Sequence, residues 1–322
     1  TPDTATMLKA YKLDDQQHLL PLEDEASPAS MASALWVDLI DPTDEERDQV
    51  EASFRRPLPE TEDVEEIEAS SRFFEDEGGL HINTLFLHEV DNQPRNTSVA
   101  FTVSGGRLAT LRERDIPAFR LLRMRVRREA GLAQDAMSLL LTLFLIKIDS
   151  LADTLEEVYT GLERVSALVL EDDGADIENA LEALALNEDT NGKVRLCLMD
   201  SQRALTFLLR RGRLAPGHAE QAHALLADID SLLPHNTFVF DKINFLMDAA
   251  LGFINIEQNQ IIKIFSIAAV VFLPPTLVAS IYGMNFEYMP ELKWLLGYPG
   301  ALGLMLASGI APYWYFKRKG WL

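Results

Sequence analysis

Asn285 stands in Tyr282-Gly283-Met284-Asn285, directly after a run without charge, and Glu287 and Glu291 follow it. Its amide offers a neutral carbonyl oxygen, and Gly283 permits a tight backbone turn that would expose further carbonyls. Neutral oxygens suit a hard cation that keeps its water. A small, hard divalent cation prefers octahedral oxygen ligation and dehydrates reluctantly, and uncharged walls would not compensate for stripping it. Met284 is expected to pack behind the turn, because thioether sulfur is a poor partner for such an ion. Glu287 and Glu291 would concentrate cations through their field, without specific contact. Each has a plainer reading: Asn285 as a helix C-cap, the two glutamates as solvated loop residues.

The run before Asn285 carries a second pattern. Positions seven apart are Asn259, Ser266, Leu273 and Ser280, and the row three residues later is Ile262, Ala269, Thr276 and Gly283. This seam is small or hydroxylated for most of its length, whereas Ile264, Ile267, Val271 and Val278 make the opposite face branched and apolar. Two helices cannot enclose an aqueous path, so lining one requires several copies, each lending a helix. The same seam equally suits plain helix packing. Asn259 would offer an amide at the inner edge, Thr276 and Ser280 hydroxyls, and Ile262, Phe265 and Leu273 apolar constrictions able to gate by dewetting. Packing is the plainer role of those three.

Other chemistries are poorly supplied. Gly192-Lys193 lacks the glycine five residues before Gly192 and is followed by Val194, so no phosphate loop and no ATP drive is expected. The six histidines are scattered and Cys197 is the only cysteine, which argues against a zinc enzyme, a thiolate cluster or a disulfide framework. An enzyme is not expected.

The elements that must position these residues are helices in a bilayer. Ile264 to Tyr282 and Trp294 to Phe316 contain no charged residue, and about 20 apolar residues span a bilayer. Spans at about 264–282 and 294–316 would leave a loop at 283–293. Lys263 precedes the first span and Lys317-Arg318-Lys319 follow the second, while the loop holds Glu287 and Glu291 against Lys293. The positive-inside rule then places the loop outside and both termini in the cytoplasm. Trp294, Tyr298, Tyr313, Trp314 and Tyr315 sit near span ends as headgroup anchors. The opening residues lack a basic segment followed by an apolar run, so the N-terminal part is expected to stay in the cytoplasm.

Before the spans, acid dominates. The formal net charge of −21 is uneven: residues 1–115 carry 10 Lys/Arg against 26 Asp/Glu, residues 116–260 carry 14 against 22, and residues 261–322 carry 5 against 2. Such a surface repels phosphate backbones and admits cations, so nucleic acid is excluded as a partner.

Residues 1–115 read as an acidic α/β domain. Strands are expected at Leu35–Ile40, Leu80–Val90, Ser98–Val103 and Leu108–Leu111, with hairpin turns at Gly78-Gly79 and Gly105-Gly106. Thr43-Asp44-Glu45-Glu46 is a capping box before a short helix, and Pro59 through Ala69 reads as another. Residues 116–260 have helical period through Asp135–Leu170 and Val194–Leu209, with breaks at Asp172-Asp173-Gly174 and from Arg211 to Gly217. A third stretch starts near Ala219, meets Pro234 and runs from His235 to Pro274 as a stalk about 60 Å long.

The segment YGMNFEYMPELKW, preceded by FLPPTLVASI and followed at the end by YFKRKGWL, resembles the CorA family of magnesium transporters more than that family's zinc-transporting relatives. The likeness covers the acidic α/β part, the helical middle, the stalk, the hairpin and the basic tail. It implies an α+β membrane protein of the inner membrane, a funnel-shaped homopentamer with five first-span helices around its axis. Gly283, Met284 and Asn285 would form the selectivity filter, Glu287 and Glu291 acidic rings at the mouth, and Lys317, Arg318 and Lys319 an inner basic ring. Mg²⁺ would be both substrate and regulatory ligand, with no other cofactor, and Co²⁺ and Ni²⁺, similar in hydrated size, would also pass. The membrane potential suffices as drive, at about 4.6 kcal/mol per 100 mV for a divalent ion. Asp228 and Asp230 are candidates for a regulatory metal site between subunits; each is otherwise a solvated helix residue. The alternatives are a carrier of Zn²⁺ or another divalent ion on the same scaffold, and a membrane-anchored metal sensor.

Overall fold

The computed structural model describes residues 8–14, 16–22, 28–54, 58, 72–90, 93–129, 131–171, 177–285 and 287–320. The helix expected from Pro59 through Ala69 and the break at Asp172-Asp173-Gly174 lie outside them. The chain divides into two compact units, 1–247 and 248–322.

The first unit is built on a seven-stranded sheet in the order β2-β1-β3-β7-β6-β5-β4. The strands are β1 (Leu8–Leu13), β2 (Leu19–Pro21), β3 (Trp36–Ile40), β4 (Phe73–Asp76), β5 (Gly79–Val90), β6 (Gln93–Ser104) and β7 (Arg107–Arg112). Every pairing is antiparallel except β3 with β7, which run parallel with Trp36 opposite Leu108. The β6–β7 turn uses both expected glycines in left-handed backbone, φ 57° and 76°, as a two-residue hairpin turn requires.

Alternation along the strands builds a core on each face. One set, with Leu8, Ala10, Val37, Leu39, Ala100, Ala109 and Leu111, packs on Met31 of α1 (Pro28–Ser33) and on Val50 and Phe54 of α2 (Asp44–Phe54). The capping box closes α2 as expected: the Thr43 N–H donates to Glu46 Oε2 at 3.0 Å, and the Glu46 N–H donates to Thr43 Oγ1 at 3.3 Å. The other set, with Tyr11, Trp36, Ile82, Phe86, Val99, Phe101 and Leu108, packs on helices α3 (Pro117–Arg128), α4 (Ala136–Glu171) and α5 (Ile177–Arg211). Residue 115 therefore marks a change of secondary structure and not of packing.

Two buried ionic networks tie that second face together. Asp38 on β3 accepts from Arg112 Nη2 at 2.7 Å and from Thr110 Oγ1 at 2.8 Å, and Arg112 also lies over the Phe119 ring. Asp200 on α5 accepts from Thr84 Oγ1, from the Leu85 N–H at 2.8 Å and from Arg72 Nη1 at 3.2 Å. Lys147 on α4, almost fully buried, donates to Thr84 Oγ1 at 2.8 Å and faces the Phe86 ring. Burial is the main cause that holds its ammonium below the usual lysine range, with the charge of Asp200 opposing. Burial likewise pushes the Cys197 thiol up to about 12.

Helix α6 runs without interruption over 67 residues, Pro216–Tyr282, through Pro234, Pro274 and Pro275. The interruption expected at Pro234 is overridden by burial. Ile229, Val239 and Ile243 are buried on either side of it, and Asn236 donates from Nδ2 to Asn191 Oδ1 at 2.7 Å and to the Asn191 carbonyl at 2.9 Å. At about 1.5 Å per residue the helix is about 100 Å long. A short 3₁₀ turn at Pro290–Lys293 and helix α7 (Gly297–Arg318) complete the second unit.

Candidate ion pathway

The second unit presents two faces of one helix. Helix α6 is long and apolar enough to cross a membrane. On it Ile267 is 9% exposed and Val271, Pro274, Pro275 and Val278 are half-buried, and the reason is α7. A Cβ added at Gly309 would lie 3.3 Å from the Pro275 ring and 3.5 Å from the Val271 carbonyl oxygen, so the glycine marks a close approach of the two helices.

The candidate seam lies about 180° away on a helix of about 3.6 residues per turn. Asn259, Ile262, Phe265, Ser266, Ala269, Leu273, Thr276 and Ser280 are all exposed within the chain. Ile262, Leu273 and Phe265 reach 61%, 64% and 71%. Of the branched face, Ile267, Val271 and Val278 are covered while Ile264 stays exposed. The Thr276 hydroxyl donates back to the Phe272 carbonyl at 2.7 Å, which leaves its oxygen as an acceptor.

The helix ends at the motif. The Gly283 N–H donates to the Ala279 carbonyl at 2.9 Å and the Met284 N–H to the Ile281 carbonyl at 3.3 Å. Gly283 does not take up a left-handed φ. Its lack of a side chain matters instead for space, since a Cβ there would sit 3.1 Å from the Ala279 carbonyl oxygen. Asn285 is exposed, and among the described residues its amide makes no hydrogen bond, so it does not act as a side-chain cap. Met284 is 48% exposed and is not packed behind the turn within one chain. Glu287 is exposed and Glu291 half-buried in the 3₁₀ turn. Lys317 and Arg318 occupy the last turn of α7, with Lys319 as its C-cap and Arg318 over the Trp314 ring. Cations there meet the negative end of the helix dipole.

The two regulatory candidates are not brought together. The buried Ile229 separates Asp228 from Asp230, and residues two apart on a helix face different ways. Asp230 accepts from Gln202 Nε2 at 2.8 Å on α5. Asp228 faces α4, where burial first, then Asp153 and Asp228, raise the Asp149 carboxyl while Arg125 opposes them. Asp149 and Asp153 were not legible as partners of Asp228, because only the packing of α4 on α6 joins them. No group of three or more His, Cys, Asp or Glu placed to hold a metal ion occurs among the described residues.

A family model described as "CorA-like Mg2+ transporter protein" matches residues 32–318. The chain belongs to the CorA-like family. It is 55% identical over 319 residues to the magnesium transport protein CorA of Pectobacterium atrosepticum, covering 98% of this chain and all of that one. It is 56% identical over 318 residues to the magnesium transport protein CorA of Salmonella typhimurium, with the same coverage. Among solved structures, the complete CorA magnesium transporter of Methanocaldococcus jannaschii superposes with a TM-score of 0.77 at 20% identity, over 99% of both chains. The ZntB cytoplasmic domain of Vibrio parahaemolyticus matches 78% of this chain and 99% of its own at a TM-score of 0.58 and 12% identity. These two likenesses establish the CorA fold. The identities near 55% and the family model tie the chain to the magnesium transporters.

Proposed function

We propose that this chain is the subunit of a Mg²⁺ influx channel of the inner membrane, five copies of which surround one axis. Helix α6 from each copy supplies the wall and α7 stands outside it. The observation that carries the reading is the division of α6 into an apolar face covered by α7 and an uncovered seam bearing Asn259, Ser266, Thr276 and Ser280 that ends at Gly283-Met284-Asn285. A tether would need no such seam. The relatives that share about 55% of its residues across nearly the whole chain are named as magnesium transport proteins.

In this reading Mg²⁺ arrives hydrated and is concentrated by Glu287 and Glu291. Five Asn285 amide oxygens then accept from its first-shell water. The exposed, unbonded state of that amide in a single chain supports the assignment. Below it the ion passes Ser280, Thr276, Leu273, Ala269, Ser266, Phe265, Ile262 and Asn259 toward the cytoplasm, drawn by the inside-negative potential. Co²⁺ and Ni²⁺, of similar hydrated size, follow the same route. Intracellular Mg²⁺ closes the channel by binding between the acidic first units of neighbouring copies.

Mg²⁺ uptake into proteoliposomes under an imposed potential tests the assignment. Asn285→Ala is expected to lower uptake at least tenfold or to abolish the preference for Mg²⁺ over Ca²⁺. Flux and preference both equal to those of the unaltered protein would overturn it.

A further inference from the structure

Buried polar atoms in folded proteins find partners, and a donor left without one costs about 1–3 kcal/mol. Among the described residues three buried side-chain atoms lack a hydrogen bond: Arg72 Nε, His88 Nδ1 and His88 Nε2. All three belong to the lining of one cavity of about 430 Å³, where the chain leading into β4 meets β5, β6 and the end of β7.

The lining is also electrically unusual. In a chain of net charge −21 it gathers Arg72, Arg95, Arg112 and Arg114 against Asp41 and Glu113. Arg72 is engaged by Asp200, and Arg112 by Asp38 and Asp115. Arg95 and Arg114 make no ion pair among the described residues and stand exposed at the rim. Arg95 is the cross-strand partner of His88. Burial first, and then the fields of Arg114 and Arg95, hold the His88 ring below the usual imidazole range, with the Arg95 carbonyl opposing. Two uncommitted guanidinium groups therefore face a site that already disfavours further positive charge, and a doubly negative ligand would relieve both.

We infer that this cavity binds a small anion carrying a phosphate group. A phosphate offers several acceptor oxygens at once and matches the guanidinium fork in two-point contacts, which accounts for the unpartnered Arg72 Nε–H and the unpaired arginines together. The cavity has room for the phosphate of a small phosphoester as well as for the free ion. The excess of acid over base in residues 1–115, 26 against 10, disfavours a nucleic-acid chain. The site lies wholly within the first unit and does not depend on the transport reading.

Isothermal titration of the purified full-length protein with inorganic phosphate, with adenosine monophosphate and with sulfate tests this. Saturable binding of a phosphate compound, at least fivefold tighter than sulfate, is expected. Adenosine monophosphate binding tighter than inorganic phosphate would identify a phosphoester, and equal or weaker binding would identify the free ion. The double variant Arg95→Glu/Arg114→Glu should weaken binding at least tenfold, and both positions are exposed enough to be tolerated. Arg127→Glu/Arg128→Glu, the same charge change on an exposed part of α3, should leave it within twofold. Absence of saturable binding would overturn the inference and assign the three unpartnered atoms to water. So would equal loss in both double variants, or no loss in the first.

Discussion

In the proposed pathway Asn285 and Glu287, two positions apart, would act over different distances. The amide would work only within hydrogen-bond reach of an ion's water, whereas the carboxylates of Glu287 and Glu291 would act through a field that salt screens beyond about 10 Å at 0.1 M. Glu287→Gln/Glu291→Gln is therefore expected to slow Mg²⁺ uptake several-fold at low ionic strength and hardly at all near 0.5 M, with selectivity unchanged. Uptake assays across a salt series check this, and a selectivity change that ignores salt would remove the glutamates from the mouth. At this scale the sequence was informative wherever the signal is local. The motif, the loop acids and the tail bases were legible from neighbours alone. The Asp200 network was not, since Thr84 stands 116 positions from its acceptor and nothing near either residue announces the other.

Helix α5 is held to the sheet by Asp200, which gathers Thr84, Leu85 and Arg72 and sits near the buried Lys147. Removing one partner of a buried ionic cluster leaves the others uncompensated, at a cost of about 3–5 kcal/mol. Asp200→Ala is expected to lower stability by that amount in denaturant titrations of the purified protein. Lys147→Met keeps most of the volume and leaves Arg72, Thr84 and the Leu85 N–H on Asp200, since Lys147 donates to Thr84 and not to the carboxylate, so it should cost far less. Equal costs would show that the cluster is held by packing alone. The long strands β5 to β7 and their glycine turns were readable because alternation and turn chemistry are local. β2 and β4 were missed because runs of three and four residues carry too few alternations to stand out, and β1, as long as β7, because Ala10 and Tyr11 side by side break its alternation. Pro234 misled for the opposite reason: its local penalty is real, and the burial of Asn236, Val239 and Ile243 outweighs it.

At the scale of the proposed assembly, the acid of the first unit would make neighbouring copies repel. Cations between them would relieve that repulsion, and their loss would let the subunits part. Asp228 lies near enough to Asp149 for its charge to raise that carboxyl, whereas Asp230 accepts from Gln202. Asp228→Asn is expected to raise the internal Mg²⁺ concentration that closes the channel about threefold or more, while Asp230→Asn leaves it unchanged. Flux recorded against internal Mg²⁺ distinguishes the two, and an unshifted midpoint in Asp228→Asn would take that carboxylate out of the sensor. The parallel β3–β7 pair, finally, dictates an order of events during synthesis. It joins residues 72 positions apart, so the sheet cannot close until β7 has been made, and closing so large a loop is slow compared with forming the β5–β6–β7 meander. By Arg112 the face covered by α1 and α2 can be complete. About 150 further residues separate that point from Ile264, roughly 8–30 s of translation at about 5–20 residues per second. Half of the sheet's core thus has time to set while the ribosome has yet to make the first residue of the uncharged part of α6, and the other face stays open until α3, α4 and α5 arrive to cover it.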